Sequence, residues 1–210
     1  MGVNFYLSLP MIHFHEMFHE MNWYAEHHAD GILTQFHLPH WTVYGMNYVL
    51  MARAARGEKE QDAIPALFAA LFGKDAPEAG RFYHRIKELL LNMGRCHILK
   101  DYQELHGMAQ QLSAKAPGDR FRSELVLWTE YLIRFKTLFD QYHAGQLTET
   151  DLDAFLDWIH AHRDSRVFVQ ERFNMYFQAL RECLRTGKPW IHFNLDWEDA
   201  YILRQEKMIY

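Results

Sequence analysis

DGILTQFHLPHW, residues 30–41, reads as one short strand, Ile32 to Phe36, entered through Asp30-Gly31 and left through a loop rich in His, Pro and Trp. A strand tip that opens onto polar and aromatic residues is a common place for a ligand. Upstream, Val3 to Leu9 is short, aromatic and apolar and stops at Pro10, which suits a buried strand. Between the two, from about Met11 to His28, Phe14, Met17, Phe18, Met21 and Ala25 recur at helical spacing. Strand, helix and strand in so few residues make a βαβ unit with parallel pairing. The fold expected is therefore mainly α. A terminal βαβ remnant of a (β/α)8 barrel occupies residues 1–40, and an α-helical bundle domain follows over 41–210. Two strands alone leave exposed edges, so the chain reads as the C-terminal part of something larger.

Downstream the helical pattern is almost uninterrupted. Trp41 to Arg56 carries Tyr44, Tyr48 and Met51 or Ala52 along one face and closes at Gly57. Ile64 to Phe72 is a short helix stopped by Gly73, with Glu58 and Glu60 left in a turn-like charged run. Asp75 is the expected N-cap of the next helix, with Pro77 near its first turn, and that helix carries Phe82, Ile86, Leu89, Leu90 and Met93. Another helix runs from about Ile98 to Ser113. The longest, Asp119 to Ala144, buries Phe121, Leu125, Trp128, Leu132, Phe135 and Phe139 and ends at Gly145. Thr148 and Asp151 resemble a capping box opening a helix with Leu152, Phe155, Trp158 and Ile159. The last long helix spans about Arg166 to Arg185 through Val169, Phe173, Tyr176, Phe177 and Leu180, and residues 190–210 form a tail. Helix-spaced aromatics of this kind are what a bundle interior requires.

Composition narrows the function classes. The chain is 49% hydrophobic and 15% aromatic, enough for a packed core. Net charge is −5 with histidine neutral and the Lys and Arg residues are scattered, so no nucleic-acid surface is expected. No run of about 18 apolar residues is present and no membrane partner is expected. The N-terminal MGVNFYLSLP lacks the basic leader and apolar core of a signal peptide. Cys96 and Cys183 read as two buried thiols rather than one bridge, since two cysteines make no disulfide framework.

One regular motif carries chemistry. His15-Glu16-Met17-Phe18-His19 fits the H-E-x-x-H pattern, in which two histidines one turn apart ligate zinc and the glutamate activates the bound water. The metzincin continuation fails, because Asn22 and Ala25 stand where Gly and His are needed, and His15 and His19 sit at the edge of the apolar stripe. His13, His15, His19, His27 and His28 therefore read first as surface histidines. A zinc-dependent hydrolase using His15 and His19 as ligands and Glu16 as base is the alternative, and no cofactor is expected otherwise. No phosphate loop, nucleophile elbow or C-x-x-C is present. The remaining candidates are the residues at the strand end, Gln35, His37, His40 and Trp41, which could contact a sugar through an aromatic face and hydrogen-bonding groups. Equally, Trp41 and Tyr44 could plug the junction between barrel and bundle.

Asp30-Gly31-Ile-Leu-Thr-Gln, His40-Trp41, Tyr44-Gly45-Met-Asn-Tyr48, a charged spacer, then Ala66-Leu-Phe-Ala-Ala-Leu-Phe-Gly73 with Ala76 and Tyr83 follow one another in order. This series resembles a domain of unknown function in bacterial glycosidase-like proteins, in which a helical part follows the last barrel strand. The α-glucuronidases likewise carry a helical domain after their barrel. The resemblance covers about residues 20 to 95. It implies the C-terminal portion of a glycoside-hydrolase-like protein, with a carbohydrate ligand and the N-terminal remainder of the barrel as partners, and a secreted or periplasmic location. Its catalytic carboxylates would lie on earlier strands, so no residue here inherits a catalytic role. Sugar contact at Gln35, His37, His40 and Trp41 is what the resemblance passes on. A non-catalytic helical module for protein association is the third possibility.

Overall fold

A computed structural model describes residues 14–31, 44–91, 98–168 and 170–188. Among the described residues eight α-helices succeed one another and no strand occurs: α1 (Phe14–Glu26), α2 (Tyr44–Ala55), α3 (Glu60–Phe72), α4 (Ala76–Leu91), α5 (Leu99–Ala114), α6 (Arg120–His143), α7 (Glu149–Ala161) and α8 (Gln170–Thr186). The protein is thus mainly helical, as the periodicity predicts. Both expected strands, Val3 to Leu9 and Ile32 to Phe36, lie outside the described residues.

Each helix packs on the next, most extensively α5 on α6 and α1 on α2. One apolar core runs through the described helices, from Phe18 and Met21 on α1 to Phe177 and Leu180 on α8. The central helix is α6, where Leu125, Trp128, Tyr131, Leu132, Phe135, Leu138 and Phe139 are all buried. Burial on several sides requires neighbours on several sides. Rings fill the space between helices: Tyr131 lies 5.9 Å from Phe155, and Phe155 lies 5.0 Å from Phe177 in an edge-on arrangement.

Several terminators act where the sequence puts them. Asp119 caps α6 by accepting from the Arg122 amide at 3.2 Å. Thr148 and Asp151 form the expected capping box at α7. Gly57, Gly73, Gly145 and Gly187 take positive φ just past helix ends, a region open to glycine without penalty.

Three expectations need correction. In α2 the buried residues are Gly45, Met46, Asn47, Leu50 and Ala54, whereas Tyr48 and Met51 are half-buried and Ala52 is exposed. That helix is apolar nearly all round (YGMNYVLMARAA), so periodicity does not pick its inner face. Helix α3 begins at Glu60, four residues before the expected Ile64, and continues past Pro65. Asp75 directly precedes α4 as expected, but it closes a 3-10 turn, Gly73–Asp75, and its buried carboxylate accepts from Arg122 at 2.7 Å. A charged side chain that is this deeply buried is explained by its partner.

Candidate functional site

The first turn of α1, α3 from Glu60 to Phe68 and α4 from Ala76 to Lys87 enclose an open groove of about 460 Å³. A volume of that size suits a small ligand. The floor is aromatic. Phe14 stands edge-on to Phe68 at 6.0 Å, Tyr83 lies 5.5 Å from Phe68, and Phe14 and Tyr83 are 6.1 Å apart. Ile64 and Pro65 add apolar surface from α3. Burial pushes the Tyr83 phenol well above its ordinary value, so it stays neutral. The α4 wall includes Gly80, where an added Cβ would meet nothing within 4 Å.

The rim is polar. His15 on α1 donates through Nδ1 to both Glu60 oxygens on α3, at 2.8 and 3.0 Å. The His15 side chain is 72% exposed and that of Glu60 37%, so the pair sits at the mouth of the groove. His84 and Lys87 come from α4. Lys87 donates to Glu16 at 2.6 Å, and His84 lies 3.4 Å from Glu88 one turn on. Three of the four rim residues can carry positive charge and one is a carboxylate. An apolar floor with a few convergent polar groups is the general form of a small-molecule site.

The structure separates the residues of the H-E-x-x-H motif. His15 turns to Glu60 and Glu16 to Lys87, while His19 is exposed. Neighbours on a helix point about 100° apart, so one faces α3 and the other α4. Among the described residues no three His, Cys, Asp or Glu side chains gather as a metal site. His27 and His28 form the turn after α1: His27 Nδ1 donates to the Trp23 carbonyl at 2.8 Å, and His28 takes a φ of 57°. Gln35, His37, His40, Trp41, His13 and Cys96 lie outside the described residues. Cys183 is half-buried on α8. Among the described helices, none is long and apolar enough to cross a membrane.

Glu60, His84, Lys87 and Phe14 escaped sequence reasoning as members of one site. Glu60 read as part of a charged turn, whereas it opens α3. The local signal was present in Lys59-Glu60-Gln61-Asp62, because acidic residues favour the first turn of a helix. No protein-family model, no curated protein and no solved structure matches the chain.

Proposed function

We propose that this chain is the helical, ligand-binding part of a carbohydrate-active protein, and that the groove between α1, α3 and α4 receives the sugar. In this reading residues 1–40 supply the closing βαβ unit of a (β/α)8 barrel. The N-terminal remainder of the barrel holds the catalytic carboxylates, and Gln35, His37, His40 and Trp41 extend the sugar contacts from the last strand. The observation that carries the proposal is the groove itself, an aromatic floor beneath a hydrogen-bonding rim. Sugars present an apolar C–H face and a hydroxyl edge, which match those two surfaces. Supporting it further, Phe68, Ala76 and Tyr83 line the groove and belong to the segment that resembles glycosidase-like proteins.

The test is binding of neutral glycosides by the purified chain, followed by backbone amide shifts. Perturbation centred on Phe14, Gly80 and His84, with Kd weakened about tenfold in Phe14→Ala, is the expected result. A glycan panel in which nothing binds, or binding whose shifts map away from the groove, overturns the proposal.

A further inference from the structure

The hydrogen bond between His15 and Glu60 determines which ring nitrogen of His15 carries the proton. A carboxylate only accepts, so Nδ1 at 2.8 and 3.0 Å from its two oxygens must be the donor. In a neutral imidazole the other nitrogen, Nε2, is then a bare acceptor. The ring that carries it lines the groove beside the apolar floor of Phe14 and Phe68. Lys87, on the α4 side of the lining, is donor-only, with one of its hydrogens turned to Glu16. The lining therefore brings acceptors from α1 and α3, at His15 and Glu60, and a donor from α4, at Lys87.

We infer that Glu60 fixes His15 as a hydrogen-bond acceptor, which makes the groove select ligands presenting a hydroxyl or N–H donor beside an apolar ring. His15 is then the specificity-determining residue and Glu60 its positioning residue. The inference rests on the groove being a ligand site, but not on the ligand being a sugar. It also gives the exposed pair a use that stability alone does not, because exposed ion pairs contribute little to folding.

In anisole a methyl group replaces the hydroxyl hydrogen of phenol and removes its only donor, so the two serve as probes for the chain at pH 8. Wild type should bind phenol about fivefold tighter than anisole, the worth of one net hydrogen bond. Nitrogen NMR of the His15 ring should show protonated Nδ1 and bare Nε2. In His15→Phe the phenol preference should fall to about onefold. In Glu60→Lys, whose ammonium can only donate, Nδ1 becomes the acceptor and the preference should disappear or reverse. Equal binding by wild type, an unchanged ratio in His15→Phe, or no binding of either probe in the groove overturns the inference. Selective phenol binding with no glycoside binding would instead sink the sugar proposal and leave this one standing. Glycoside binding without a phenol preference would do the opposite.

Discussion

Arg122 on α6 and Asp75 in the turn before α4 meet at 2.7 Å, with only 6% and 9% of their side chains exposed. The same guanidinium donates to the Leu112 carbonyl at 3.0 Å and the Phe72 carbonyl at 3.1 Å, and it lies 5.5 Å from the Phe72 ring. One side chain thus joins the ends of α3 and α5 to the start of α6. Carbonyls at helix ends lack intrahelical partners, and Arg122 supplies donors to two of them.

Removing the guanidinium leaves two carbonyls without that donor and the buried Asp75 carboxylate with only Lys115, at 3.8 Å. Arg122→Leu should lower Tm by roughly 10 °C, because breaking one side of a buried pair leaves an uncompensated charge. Adding Asp75→Leu should recover part of that loss. Thermal unfolding by circular dichroism is the measurement, and a shift under 2 °C in the single variant would refute the role given to Arg122.

Acid should weaken the fold through the same residue. Its hydrogen bond with Arg122 holds the Asp75 carboxyl below its ordinary value, and Glu149 with Arg185 and Asp151 with Thr148 behave alike. A group whose value is depressed by folding contributes stability that is present above its unfolded value, about pH 4 for these carboxylates, and is lost as pH falls through the lower folded value. Tm measured from pH 6 downward should therefore stay level to about pH 4 as far as these groups are concerned and then drop. In Asp75→Asn the acid limb should be shallower. An identical slope in that variant would remove Asp75 from the explanation.

Thr148 accepts from the Asp151 amide at 3.2 Å, and Asp151 accepts from the Thr148 amide at 3.0 Å. Thr148→Ala deletes half of this box and should cost about 1 kcal/mol in urea unfolding with an unchanged m-value. Thr148→Ser should retain most of the stability. A loss equal to that of alanine in the serine variant would argue against the cap.

Gly80 occupies an interior position of α4, where glycine is a poor helix former, and its missing side chain leaves space open to the groove. Gly80→Ala should stabilise the protein by about 1 kcal/mol, since the added methyl meets nothing and the unfolded chain loses freedom. Gly80→Leu should occupy the groove and weaken binding of any ligand there at least tenfold. Tighter binding in Gly80→Leu would mean that the ligand sits elsewhere.

The mainly helical fold and most helix limits were legible in the sequence, because they depend on neighbours within one or two turns. Phe82, Ile86 and Leu89 on α4 and Leu152, Phe155 and Ile159 on α7 announce buried faces through spacing alone, and the Thr148 box is a local exchange of hydrogen bonds. Where spacing carried no contrast, as in the all-round apolar α2, the inner face could not be read. The candidate site was hidden for a different reason. His15 meets Glu60 across 45 positions and Lys87 meets Glu16 across 71, and nothing in either segment marks its partner. Local chemistry specified the helices by itself. Only their packing, which chooses the faces that meet and so the charges that pair, decided where the groove lies and which residues hold its rim.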